Sequence, residues 1–133
     1  MRKLGGGMVL AFLMSVPAFA GEFSTLKEEI QAARQALVTM VLHRESRGPE
    51  QQKLVKETAD LVNTHLGRLS APAGKAFEFK ELKDTWAAFK KTRETELVPA
   101  ILKNDKPTYD RLGAGIQKER LDHMYALIAT IEK

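Results

Sequence analysis

Apolar side chains recur along this chain with the period of a helix. Leu26, Ile30, Ala33, Leu37, Met40 and Val41 fall on one helical face. Thr25, with Glu28 three residues on, reads as a capping box that opens this first helix. Gly48-Pro49 closes it, and Pro49 suits the first turn of a second helix. The face of that helix is Leu54, Val55, Thr58, Leu61, Val62, His65, Leu66 and Leu69. The breakers Ser70-Ala71-Pro72-Ala73-Gly74 form a loop, and a third helix over 75–103 carries Phe79, Leu82, Trp86, Phe89, Leu97 and Ile101. Asn104-Asp105-Lys106-Pro107 interrupts the run, which Leu112, Ile116, Leu121 and Met124 resume in a fourth helix from Pro107 to near the C-terminus. No β-type alternation competes. The pattern predicts an all-α fold, an antiparallel up-down-up-down four-helix bundle.

One end of that bundle is expected to be irregular. Pro99 lies inside the third helix, where a proline removes a hydrogen bond and kinks the axis. Across the hairpin, Gly113 and Gly115 stand at a similar height. Either these glycines let the fourth helix approach the bent third helix closely, or the fourth helix begins only after Gly115.

The first 20 residues change what counts as the folded chain. Arg2 and Lys3, the apolar run Met8 to Val16 and Ala18-Phe19-Ala20 have the parts of a secretory signal peptide with an A-x-A cleavage site. The apolar run is short of the ~20 residues needed to span a bilayer. Cleavage after Ala20 is expected, which leaves residues 21–133 as one exported, periplasmic domain. Without Arg2 and Lys3, 19 of the 21 basic side chains face 17 acidic ones, a net charge of +2. So small an excess gives no nucleic-acid footprint. The absence of cysteine excludes disulfides, thiolate metal sites, a thiol nucleophile and covalent haem attachment.

Candidate chemistry lies in the arginines. Arg93 and Arg120 occupy apolar-stripe positions where a bundle would normally place Leu, and Arg44 does the same on the first helix. With a turn centred near Asp105, Arg93 stands opposite Gln117, and Arg120 is about 4.5 Å further along the axis at about 1.5 Å per residue. Three guanidinium groups then converge at one level, the arrangement a carboxylate or other anion pocket requires. The alternative is that Glu94, Glu96 and Glu119 neutralise these arginines in ordinary salt bridges, with their stems packed along the core edge. Trp86 and Tyr109 are either walls of such a pocket or plain core.

The stretch from Trp86 to Arg120, with W-x-x-F-x-x-T-R-x-x-E-L-V-P-A-I, a polar turn and L-x-x-G-I-Q-x-E-R, resembles the periplasmic four-helix-bundle sensor domains of methyl-accepting chemotaxis proteins and related histidine kinases. The first two helices match only in pattern. The resemblance implies a ligand-sensing domain that dimerises, binds a small molecule such as an amino acid or organic acid at its membrane-distal end, and works with a membrane receptor or kinase. It puts Arg93, Glu96, Gln117 and Arg120 in that distal region, with Arg44 the nearest counterpart of the family's arginines on the first helix. The receptors continue through a transmembrane helix, whereas this sequence ends at Lys133. The expectation is a free-standing periplasmic binding protein or a partner for a separate receptor.

Two other readings use different residues. Some b-type cytochromes hold haem in a four-helix bundle between a Met on the first helix and a His on the last, and Met40 and His123 come out level by the same arithmetic. Met is also a common core filler and a lone stripe His is often a satisfied core residue. Three histidines on three helices without i, i+4 spacing give no metal site. The other reading is an adaptor whose surface binds other helices and no small ligand. Catalysis finds no nucleophile–base pair, phosphate loop or metal cluster, so the sequence reads as a non-enzyme.

Overall fold

The computed structural model describes residues 19–133, and the regular structure among them is all helical, with no strand. The expected signal sequence falls almost wholly outside the described residues. The elements are α1 (Phe19–Leu42), α2 (Pro49–Arg68), α3 (Ala76–Thr92), α4 (Val98–Leu102), α5 (Lys106–Ala114) and α6 (Ile116–Ile131). A π-helical turn, Arg93–Leu97, joins α3 to α4, and α5 meets α6 at Gly115, so the six elements make four rods. The first rod packs mainly on the second, and α3 packs mainly on α6.

Several boundaries differ from the sequence expectation. Thr25 and Glu28 lie well inside α1, so they form no capping box. Phe23 explains the longer helix: it is fully buried and meets Phe79 edge-on at 6.0 Å, which draws the turn before Thr25 into the packed element. Pro49 opens α2 at its first turn, as expected. Leu54 and Leu61, assigned to the buried face of the second helix, are about half exposed; the buried stripe is Val55, Ala59, Val62, His65 and Leu66.

The irregular end takes a form the sequence left open. Proline lacks an N–H and its ring crowds the carbonyl one turn earlier. The chain accommodates Pro99 by widening the preceding turn, where the Val98 N–H reaches back five residues to the Arg93 carbonyl. α4 then ends in a Schellman pattern. Asn104 takes the left-handed conformation (φ 57°), its N–H donates to Ile101, and the Asp105 N–H donates to Ala100 at 2.8 Å. Asp105 also accepts from the Thr108 N–H to start α5. Neither glycine expectation holds. A Cβ on Gly113 would meet open space, so Gly113 marks no close helix contact, and helix exists on both sides of Gly115. A Cβ on Gly115 would fall 2.6 Å from the carbonyl oxygen of Arg111 in its own chain segment, so the break there needs glycine.

The apolar core is in two parts. The larger is built around Leu26, Ile30, Leu82, Trp86, Met124 and Ile128, and the smaller around Leu37, Met40, Leu97, Ile101, Tyr109 and Leu112. Between them lie two buried polar side chains, Arg93 and Gln117. His65, the third buried polar residue, ties α2 to α1 through Glu29 at 2.7 Å and Glu22 at 2.8 Å.

Arg47 holds the end of the smaller core. Its Nε donates to the Met40 carbonyl at 2.6 Å and its Nη2 to the Val41 carbonyl at 3.1 Å, which satisfies the last turn of α1. Nη1 donates to the Ile101 carbonyl at 3.1 Å and to Asn104 Oδ1 at 3.2 Å, so one side chain clasps the ends of α1 and α4. Arg47→Ala is expected to lower stability by about 2 kcal/mol, the scale of hydrogen bonds to a charged donor. Urea unfolding monitored through Trp86 measures this, and a change below about 0.5 kcal/mol would mean that the clasp is dispensable.

Candidate functional site

A cavity of about 440 Å³ opens between α1, the π-helical turn, α5 and the start of α6. Its walls are mostly apolar: Leu37, Val38 and Val41 from α1, Phe89 from α3, Leu97 from the π-helical turn and Tyr109 from α5. Gly113 and Ala114, which project almost nothing, leave space on the α5 side. Arg34, Asp110 and Lys118 lie at the rim. Asp110 pairs with Lys106 and Lys118 pairs with Asp122 along their own helices.

Arg93 reaches this cavity from the first residue of the π-helical turn, and only 1% of it is exposed. Nη1 donates to the Ala33 carbonyl in α1 at 2.8 Å, and Nη2 donates to the Val55 carbonyl in α2 at 2.9 Å. Nε is buried and has no partner. Neither contact is to a carboxylate. The guanidinium therefore sits in the interior with neutral dipoles on two of its nitrogens and nothing on the third.

Burial pushes the Arg93 pKa down to about 10, against a smaller upward pull from Glu94. The group stays charged at neutral pH, and holding that charge in the interior costs roughly 3 kcal/mol relative to water. The linkage has a definite sign. A cation whose folded pKa lies below its unfolded value opposes folding at neutral pH, and that opposition fades only as pH rises above about 10 toward the ordinary arginine value. A nearby anion favours the charged form and so acts against that opposition at neutral pH.

Gln117 shares the cavity wall with Arg93, as the height arithmetic predicts. Both ends of its amide are bonded: Nε2 donates to the Phe89 carbonyl at 3.0 Å, and Oε1 accepts from Arg120 Nη1 at 2.9 Å. Arg120 also donates to Thr92 Oγ1 at 2.8 Å. It lines a separate shallow groove with Asp84, Thr85 and His123, so it supports Gln117 from behind without facing the cavity.

Two expected site residues lie elsewhere. Arg44 is exposed in a short 3₁₀ turn after α1, because α1 ends at Leu42 and the stripe it was assigned to does not continue. Glu96 is exposed on the outer side of the π-helical turn. The three-arginine level is therefore a single buried arginine with one glutamine. The alternative salt-bridge explanation also fails among the described residues: no ion pair joins Arg44, Arg93 or Arg120 to a carboxylate, and Glu94 pairs with Lys90 at 2.7 Å. The haem pair is not brought together either. Met40 is fully buried in the smaller core, whereas His123 is exposed on the outer groove of α6.

Sequence reasoning missed Arg34, Leu37, Val38 and Val41 as wall residues, and it missed Arg47 altogether. Arg47 carries a legible signal in retrospect, since a basic residue five positions past the end of a helix is well placed to reach its last carbonyls. No family model matches the chain, and no curated protein or solved structure matches it. The chemistry of the cavity is therefore what bears on function.

Replacing Arg93 with a neutral side chain of similar length tests whether the charge is structural. Arg93→Met removes two hydrogen bonds but also the buried charge, and the Ala33 and Val55 carbonyls keep their places in α1 and α2. The ligand-free variant is expected to be within about 1 kcal/mol of the parent or more stable, as when buried ionic groups are exchanged for apolar ones. A loss above about 2 kcal/mol in urea unfolding would make Arg93 a structural brace.

Proposed function

We propose that this chain is a sensor-type four-helix bundle, exported and non-catalytic, that binds a small organic anion in the cavity beside Arg93. The observation that carries the reading is Arg93, a buried cation that lines a cavity large enough for a ligand and whose Nε, beneath that wall, has no partner. A binding site that penalises the empty protein is what a receptor for an anion needs, because the ligand recovers what the fold gives up.

In this reading the four rods alternate in direction. Ser24, near the start of α1, donates to Glu132 just past the end of α6 at 2.7 Å, while Arg47 joins the turn after α1 to the end of α4 at the other extreme. The cavity then lies on the side of the molecule toward the turns at 43–48 and 103–105. The resemblance to chemoreceptor sensor domains supports the same assignment, together with a signal peptide over residues 1–20, periplasmic location, a homodimer and a membrane receptor or kinase as listener. The anion-binding set is Arg93 with Gln117 as its neighbour on the wall. Arg120 acts through Gln117.

Thermal unfolding against a panel of acetate, succinate, aspartate, nitrate and aromatic acids tests the proposal. A ligand that binds only the native state adds ~2.7 kcal/mol at about a hundred times its Kd, which raises the midpoint of a domain this size by several degrees. At least one anion is expected to do so in the parent protein and in Arg120→Ala, and to fail in Arg93→Met. A midpoint raised equally in Arg93→Met would remove Arg93 from the site.

A further inference from the structure

The composition of the cavity narrows the class of anion. We infer that the site proposed above takes a monocarboxylate with an apolar body, such as a medium-chain fatty acid or an arylalkanoic acid, its carboxylate drawn to the Arg93 guanidinium and its body among Leu37, Val41 and Tyr109. The inference rests on the anion reading of the same cavity and adds to it what the rest of the ligand must be.

One charge is all the interior can neutralise. Arg93 is the one buried side chain with a permanent charge on the cavity wall, and one N–H on each of its two Nη atoms is already given to the Ala33 and Val55 carbonyls. Gln117 is neutral, and its Nε2 already donates to Phe89 while its Oε1 accepts from Arg120, so it brings no charge to offset a second carboxylate. A dicarboxylate or an amino acid would therefore bury a second charged group against aliphatic and aromatic walls without a partner. An acid with one head and an apolar body leaves no such group behind.

The walls favour the body in their own right. Leu37, Leu97, Phe89 and Tyr109 are each buried by the fold while still facing the cavity. Each ligand methylene drawn out of water against such a wall multiplies affinity about fourfold. Arg47 lies over the ring of Tyr109 with its guanidinium carbon 5.7 Å from the centroid, which fixes that wall while leaving the Arg47 donors engaged with backbone carbonyls. Gly113 provides the room. It lines the cavity and a Cβ added there meets nothing within 4 Å, so a side chain can start at this position without a backbone clash.

Calorimetric titration of the whole protein with octanoate, 3-phenylpropionate, acetate, succinate and 1-octanol tests the inference. Octanoate is expected to bind at least about a hundredfold tighter than acetate, from three to four methylenes buried, and about tenfold tighter than octanol, from the charged head. Gly113→Phe is expected to weaken octanoate by at least about tenfold with the thermal midpoint of the free protein unchanged or raised, since glycine is a poor residue inside a helix. This variant keeps Arg93 and guards against misreading a folding defect in Arg93→Met. Succinate or aspartate binding in an Arg93-dependent way while octanoate does not would overturn the ligand class and leave the anion reading intact. Octanol binding as tightly as octanoate would overturn both, as would heat from none of the five.

Discussion

An arginine guanidinium that cannot reach solvent and has no carboxylate within reach governs how this molecule is put together. Arg93 bonds to carbonyls on α1 and α2 from a turn that ends α3, so three of the four rods are joined through one side chain. A charge there must be tolerated by everything around it. The apolar core accordingly stops on either side of its level and resumes beyond it, with Gln117 the other buried polar residue between the two parts. The cavity lies at this junction. It is the place where apolar walls cannot close because a cation occupies the middle.

Local backbone chemistry sets where that cation points. Pro99 cannot continue a regular helix, and the widened turn it imposes begins at Arg93. The Schellman ending at Asn104 turns the chain back, and the glycine-dependent break at Gly115 divides the returning rod so that α5 stands off from α1 across the cavity. Arg47 fastens the end of this region to the last carbonyls of α1. The irregular end is held by specific hydrogen bonds to identifiable residues, and the regular end by burial of Phe23, Phe79 and Ile131 in the larger core.

Much of this was legible in the sequence, and the parts that were not have physical reasons. Helical periodicity placed all four rods, and the breakers at Gly48-Pro49, 70–74 and 104–107 placed the three turns. Arg93 stood out because it sat where Leu belongs, and the height arithmetic correctly set it beside Gln117. Arg44 misled because its stripe was extrapolated past Leu42, where the helix ends. The capping box at Thr25 misled because a local signal was outweighed by the burial of Phe23 one turn earlier. The widened turn could not be read, since a proline in a helix is equally compatible with a kink, a stop or an inserted residue. The cavity could not be read either, because it depends on which side chains are absent from a surface, and Gly113 reads the same in sequence whether it faces a packed helix or a void.

In the proposed site, the unpartnered Arg93 Nε–H is the donor whose surroundings change when an anion enters. The most direct measurement is the ¹⁵Nε–¹H resonance of Arg93, followed by NMR as octanoate is added. This proton is expected to move downfield and become more protected from exchange as the site fills, while the corresponding proton of Arg47, already donating to Met40, keeps its position. An Arg93 resonance that stays where it was at saturating octanoate would rule out this site for the acid, and would return Arg93 to the role of a structural brace between α1 and α2.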